Sequence, residues 1–398
     1  MSFRERRAAV LKAMGQGVAV CFAAPVFVRN NDVEHEYRQD SDFYYLTGFD
    51  EPESVIVLVA DGQGGGKFVL FVRPSDPERE VWDGRRAGVE GAIKVHGADE
   101  AYPIEMLDKK LAELMRGQPR LYFRLGRHRP HDEIVLRVLE HVRARGRAPH
   151  GWPTAIVELD EIVHEMRWRK DGAEQDVMQR AADITADGHL AAMARARPGG
   201  REYELEAVLR EAYRRHGAER CAYQPIVGAG ANATTLHYRA NADELRDGDL
   251  VLIDSGAEYG YYACDVTRTF PVNGRFTPTQ RAAYQVVLDA QLASIAACRP
   301  GCTLDEVHQA SLEVLVEGMV KLGLLAGDPA KLLADGAYKP YYMHRTSHFL
   351  GMDVHDVGTY FAAGKPRPLD PGVVLTVEPG LYISPRDERA PAELRGLG

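Results

Sequence analysis

The segment YYMHRTSHFLGMDVHDVG, residues 341–358, places His344, His348 and His355 within a dozen positions. Imidazoles at this density can bind a metal ion or move protons, and they can equally decorate a polar loop. The i, i+4 spacing of His344 and His348 suits one face of a helix. The zinc-peptidase pattern is absent, because Arg345 stands where that pattern has Glu. Which chemistry the rings serve depends on what the rest of the chain sets opposite them.

Carboxylates are the natural counterparts. LVLIDSGAEYGYYACDVTRTF, residues 250–270, reads as strand, turn and strand, with the turn near Tyr259–Gly260. That register makes Asp254 and Asp265 equidistant from the turn and opposes them across the hairpin. Directly opposed Cβ atoms lie about 5 Å apart, and like charges there are destabilising. An unpaired ionised carboxylate beside apolar neighbours is also costly. A divalent cation removes both penalties; a bulge that sends one Asp to solvent is the equal alternative. In GVVLTVEPGLYISP, Glu378 ends an apolar run before Pro379–Gly380, where a surface carboxylate is the commoner outcome. Together Asp254, Asp265, His348 and Glu378 offer three carboxylates and one imidazole. Such a set suits Mn²⁺, Mg²⁺ or Co²⁺ and is unlike a Cys-rich structural zinc site.

The elements that must position these groups follow from composition and periodicity. A chain of 398 residues, 45% hydrophobic and 27% charged, is that of a soluble globular protein with a large core. The net charge of −9 argues against a nucleic-acid partner. Cys21, Cys221, Cys264, Cys298 and Cys302 are single and odd in number, which suits a reducing compartment. The start reads as a short charged helix followed by a strand, not a signal peptide, and no stretch approaches a membrane span; the cytoplasm is the expectation. Strands SVIVLVADG, KFVLFVR and RLYFRL alternate with helical PIEMLDKKLAELM and DEIVLRVLEHVRARG, which predicts an α/β domain over 1–170. A capping box, Asp171 with Glu174, opens a helix on which Val177, Ala181 and Ile184 share a face, and a second domain over 171–398. That domain echoes itself: Arg-Pro-Gly joins helix to helix at Arg197 and again at Arg299. The helix before the second turn starts at Thr277 with Gln280 at N3 and carries Tyr284, Val287, Leu288, Leu292 and Ile295 on one face. Two similar halves would enclose a cleft.

The Asp-x10-Asp spacing, then HRTSHFLGMDVHDVG, then TVEPGLYI resembles the pita-bread metallopeptidases, in their Xaa-Pro aminopeptidase branch. RQDSDFYYLTGF and VWDGRRAG are similar to that branch's N-terminal domain and IVGAGANATTLHY to its catalytic domain, so the resemblance spans the chain. It implies an α/β (α+β) fold: an N-terminal α/β domain, then a pita-bread catalytic domain with pseudo-twofold halves. It implies two divalent cations, Mn²⁺ above all, with Co²⁺, Zn²⁺ or Mg²⁺ as alternatives. Asp254 and Asp265 would bind them, Asp265 bridging, with His348 and Glu378 completing one shell. His237, His355 and Glu378 would be catalytic, the two histidines stabilising the tetrahedral intermediate. His344 and Tyr382 would line a proline pocket, and Trp82 would approach a neighbouring subunit's active site in a homodimer or homotetramer. The substrates would be peptides with proline in second position. Alternatives are a prolidase acting on Xaa-Pro dipeptides, a peptide-binding relative without catalysis, and a metal-free amidinohydrolase, which the Asp pair disfavours.

One departure matters. The chain stops at ELRGLG, where the family runs on into a strand with a bridging Glu and a nearby Arg. A molecule ending at Gly398 is expected to expose a sheet edge, to hold one ion at most, and to be poorly active. Cys264, beside Asp265, is expected to point away from the site, because adjacent strand residues face opposite sides.

Overall fold

The computed structural model describes residues 1–145 and 151–398. The last residue of the expected helix DEIVLRVLEHVRARG, Gly146, lies outside the described residues. The chain divides into two compact units, Met1–Met166 and Arg167–Gly398.

The first unit is built on a six-stranded mixed sheet. Its order is Glu100–Pro103, Gly66–Val72, Val55–Asp61, Gln16–Phe22, Arg120–Tyr122 and Ala155–Val157. The strand Gln16–Phe22 pairs antiparallel with Val55–Asp61 and parallel with Arg120–Tyr122. Its centre is apolar and buried at successive positions, as a strand covered on both faces requires. Val18, Val20, Val55, Val57, Val69 and Phe71 form one core with Leu111 and Met115 of helix Leu107–Met115 and Val135, Val138 and Val142 of helix Arg129–Arg145. The expected strand RLYFRL is shorter than read, ending at Tyr122.

The second unit contains two helix pairs, Gly172–Arg195 with Glu202–Arg215 and Pro278–Ala297 with Leu304–Lys321. Capping boxes open three of them, at Asp171 with Glu174, Thr277 with Gln280 and Thr303 with Glu306. The echo seen in the sequence is a repeat in hydrogen bonds. Gly199 and Gly301 take φ of +83° and +88° in the two Arg-Pro-Gly turns. In the first, Gly199 N donates to Leu245 O (2.8 Å) and Leu245 N to Gly200 O (2.9 Å); in the second, Gly301 N donates to Leu369 O (2.8 Å) and Leu369 N to Cys302 O (2.7 Å). From Leu245 to Asp254 the chain advances nine positions, and from Leu369 to Glu378 the same nine. Each half therefore hangs its carboxylate strand from its own turn. The helix Pro278–Ala297 departs from its expected face: Ala283, Ala290 and Ser294 are buried against its neighbour, while Leu292 and Ile295 are half-exposed. Small residues win because the helices approach closely, with Val286 packed over Gly318.

The hairpin that carries the two aspartates is real, with its centre one residue later than expected. Tyr259 pairs with Tyr262, so Gly260 and Tyr261 form a two-residue turn with φ of 56° and 68°. Moving the centre by one residue moves the opposed pair by two. Asp254 therefore faces Thr267, and Asp265 lies diagonally on the same face. The glycine takes the first position because a Cβ there would come within 3.0 Å of Val177. The second half builds its ladder from 346–350 and 374–378: Leu350 N to Val374 O (3.0 Å), Thr376 N to His348 O (3.0 Å) and Glu378 N to Thr346 O (2.9 Å). His348 thus opposes Thr376, as Asp254 opposes Thr267. Strand Thr267–Pro271 has no partner strand on its outer edge among the described residues. A cavity of about 560 Å³ lies beside it, bordered by Thr376–Ile383 and by Tyr284, Leu288 and Ile295.

Candidate active site

The register just described brings Asp254 and Asp265 together, although they are not directly opposed. Tyr223 marks the meeting point: its hydroxyl reaches Asp254 Oδ1 and lies 2.9 Å from Asp265 Oδ1. Burial pushes the Asp254 carboxyl up to about 7, and the charges of Asp265 and Glu378 add to the shift. Burial, with both aspartates, also drives the Tyr223 hydroxyl well above its ordinary range, so it remains a donor.

The second half completes the cluster. His348 Nδ1 donates to Phe349 O at 3.0 Å, which aims Nε2 at Asp265 Oδ2 (3.2 Å) and Glu378 Oε1 (3.1 Å). Burial pulls the His348 imidazole down, but its bonds to Asp265 and Glu378 outweigh this and raise it to about 10. Thr376 Oγ1 donates to Glu378 Oε1 at 2.8 Å. Gln291, from helix Pro278–Ala297, holds the carbonyl of Val377 at 3.1 Å. Two carboxylates, Asp265 and Glu378, thus meet at one imidazole nitrogen, and the Tyr223 hydroxyl links Asp254 to Asp265. A divalent cation taking the place of the Nε2 proton would neutralise charge that burial now penalises, so this oxygen-rich set fits such an ion.

Gly256 is what lets the hairpin close. A Cβ at this position would overlap the carbonyl of Cys264 and stand 3.0 Å from Asp265 N. Gly256→Ala is therefore expected to displace the segment carrying Asp265. Calorimetry should show weakened divalent-cation binding, and the melting curve a loss of about 1 to 3 kcal/mol. Cys264 itself is buried and hydrogen-bonds the side chain of Thr185 on helix Gly172–Arg195, away from the carboxylates.

The other candidates group around this cluster unevenly. The exposed His355 sets its ring edge-on to His348, centroids 4.4 Å apart. His344 Nδ1 donates to Arg345 O (2.8 Å), leaving Nε2 to accept from the Tyr382 hydroxyl at 2.9 Å. Burial, then the charge of Glu378, raises the Tyr382 hydroxyl and keeps it protonated. These two side chains form one wall, with Tyr342 edge-on to His344. His237 lies exposed on a loop after the turn Gly230–Thr234. Trp82 belongs to the first unit, on helix Pro77–Asp83, and is 84% exposed, so it is no core residue.

Tyr223, Thr376 and Thr267 are functional neighbours that the sequence reading misses. Tyr223 has no spacing signal, because it reaches the hairpin from outside it. Thr267 follows from the turn centre as the partner of Asp254, whereas Thr376 is set by the separate ladder of 346–350 with 374–378. A second carboxylate–histidine cluster, Asp42, Asp160 and His164, sits in the first unit. Arg124 Nε, 2.7 Å from Asp160, and Arg127, 2.8 Å from Asp40, already bring positive charge there, so it reads as an ion-pair network.

The chain is similar to known proteins along its whole length. Residues 176–396 match the family described as Metallopeptidase family M24, and residues 3–122 match the Aminopeptidase P, N-terminal domain. The chain is 45% identical over 397 residues to the Xaa-Pro aminopeptidase of Escherichia coli, covering 100% of this chain and 90% of that protein. It is 34% identical to human Xaa-Pro aminopeptidase 3, covering 97% of this chain and 76% of that one. The structure of Pseudomonas aeruginosa aminopeptidase PepP superposes with a TM-score of 0.97 at 47% identity, covering 100% of this chain and 90% of that one. A Zn-substituted E. coli aminopeptidase P in complex with product superposes equally well, with a TM-score of 0.97 at 45% identity and the same coverage. The family model over most of the second unit and the full-length relatives lead to one conclusion: the chain belongs to metallopeptidase family M24, in the aminopeptidase P branch.

Proposed function

We infer that this protein is an Xaa-Pro aminopeptidase, a metal-dependent exopeptidase that hydrolyses the bond between an N-terminal residue and a following proline. The observation that carries the reading is the meeting of Asp265 and Glu378 at His348 Nε2, with Asp254 joined to Asp265 through the Tyr223 hydroxyl. Those four residues would bind divalent cation, Mn²⁺ above all, with Asp265 shared between the Asp254 side and the His348–Glu378 side. When bound, the ions supply a hydroxide at neutral pH and polarise the scissile carbonyl.

This chain's own residues do the rest. Glu378 Oε1 accepts from Thr376 Oγ1, so Oε2 would be the oxygen that takes the proton of the attacking water. His355, beside His348, and His237 donate to the oxygen on which negative charge develops. The Xaa-Pro bond is a tertiary amide without an N–H, so selection must rest on ring shape. His344 and Tyr382, locked together by their hydrogen bond, provide a rigid wall for a proline ring. In this reading residues 1–170 are the aminopeptidase P-type domain and 171–398 the catalytic domain. The protein acts in the cytoplasm as a homodimer or homotetramer. Comparing turnover of Xaa-Pro-Yaa peptides with that of Xaa-Pro dipeptides tests it, and cleavage of dipeptides alone would make the protein a prolidase.

The exposed Trp82 bears on length preference. If it meets peptide bound in a neighbouring subunit, Trp82→Ala should lower kcat/KM for tripeptides and longer peptides about ten-fold and for dipeptides little. Unaltered length preference, together with a monomer in sedimentation, would remove that role.

A further inference from the structure

Glu202 opens helix Glu202–Arg215 and is fully buried, at 0% exposure. Its charge is met by four neutral donors, two on each oxygen. Oε1 accepts from Ala229 N (2.7 Å) and Asn232 Nδ2 (3.0 Å), and Oε2 from the Tyr238 hydroxyl (2.8 Å) and Asp243 N (2.9 Å). The helix N-terminus behind it also favours the negative charge. The donors span residues 229–243, the loop that carries His237. Its one regular element among the described residues is the short turn Gly230–Thr234.

A second tether fixes where this loop runs. Asn241 donates to Pro225 O and to Glu206 Oε2, both at 2.8 Å, and accepts from Val227 N at 3.0 Å. Gln224 Nε2 reaches Arg239 O at 3.3 Å. The returning leg, 239–241, therefore lies along 224–227. That segment adjoins Tyr223, whose hydroxyl touches Asp254 and Asp265. The loop is built at the carboxylate end of the site, and Tyr238, the residue after His237, is bonded straight to Glu202.

We propose that Glu202 is a positioning residue that holds Tyr238 and, through it, sets the place of His237. The proposal rests on the reading of His237 as a substrate contact. An ordered loop without ladder bonds loses backbone freedom at every residue, and charge-assisted bonds to a buried carboxylate offset that loss. An amide cannot substitute, because its NH₂ group would face two donors.

The test uses the Mn²⁺-loaded protein with Glu202→Gln and the milder Tyr238→Phe, which removes one hydroxyl only. Amide hydrogen exchange over residues 230–243 should accelerate in both, with Mn²⁺ affinity by calorimetry unchanged. kcat/KM on an Xaa-Pro-Yaa peptide should fall about ten-fold in Glu202→Gln and less in Tyr238→Phe. In a His237→Ala background neither change should lower it further. Losses that multiply in that background, or exchange unaltered in both variants, would overturn the proposal. If the unsubstituted protein cleaves no Xaa-Pro peptide, the functional reading fails instead. Exchange over 230–243 then decides the tether by itself, acceleration supporting it and no change refuting it.

Discussion

Asp265→Ala is expected to reduce peptide cleavage by at least about a thousand-fold, or about 4 kcal/mol of barrier, while the protein stays folded. Asp265 is the carboxylate that joins the two halves of the donor set. Its Oδ1 lies 2.9 Å from the Tyr223 hydroxyl on the Asp254 side, and its Oδ2 lies 3.2 Å from His348 Nε2. Without it, Asp254 and the His348–Glu378 pair share no ligand. His348→Ala should also abolish activity, but it leaves the three carboxylates in place, so its loss should be the smaller. The fold should survive because Asp265 repels Asp254: the Asp254 carboxyl is raised to about 7 by burial first and by Asp265 second. Removing that neighbour relieves the metal-free protein. Its melting temperature with a chelator at pH 8 should stay within a few degrees of that of the unsubstituted protein, because the lost His348 hydrogen bond offsets the relieved repulsion. Turnover within a few-fold of normal in Asp265→Ala would sink the metal-hydrolase reading.

Chelation should make stability fall steadily as pH rises, and divalent cation should reverse this. Asp254 titrates at about 7 in the folded chain against about 3.9 unfolded. Between those values the folded state holds a proton that the unfolded state has lost, so raising the pH destabilises. His348 titrates at about 10 when folded against about 6.5 unfolded. Its contribution is fully present below pH 6.5 and is lost as pH rises through the folded value. The two windows adjoin and their signs agree. Each costs at most about 1.4 kcal/mol per pH unit within its window. A bound cation displaces both protons, so its affinity grows as pH rises. Saturating Mn²⁺ should raise the melting temperature at pH 8 by about 5 to 10 °C, and by much less at pH 5.5. A chelated protein whose melting temperature is flat from pH 5 to 9 would contradict this account.

How much was legible depends on whether a residue's role is written in its own neighbourhood. The capping boxes at Asp171 and Thr277 are local, and the structure has both. The paired Arg-Pro-Gly turns are local too, but their meaning is not. Only the bonds to Leu245 and Leu369 show them to be matching suspension points. The turn centre was misplaced because Gly-Tyr carries no strong hairpin signal, and Tyr261 takes a positive φ that its residue type does not advertise. The buried face of Pro278–Ala297 was misread for a related reason. Periodicity finds the apolar stripe, whereas close helix approach selects Ala283, Ala290 and Ser294. Glu202 and Tyr223 act across 41 and 42 positions at their farthest reach, a distance at which spacing carries no information.

The matched turns have a consequence for metal selectivity. The two halves share the nine-residue spacing from Leu245 to Asp254 and from Leu369 to Glu378 but not the donor atoms. The first half presents oxygen alone, through Asp254 and Asp265, while the second adds the nitrogen of His348. Oxygen-only surroundings favour hard ions and discriminate poorly among the transition metals, whereas an imidazole leans toward ions later in the series. Two ions bound here would therefore occupy chemically unequal seats, and which metal is retained would be decided in the second half. His348→Asp turns that half all-oxygen, and competition between Zn²⁺ and Mn²⁺ should then shift toward Mn²⁺.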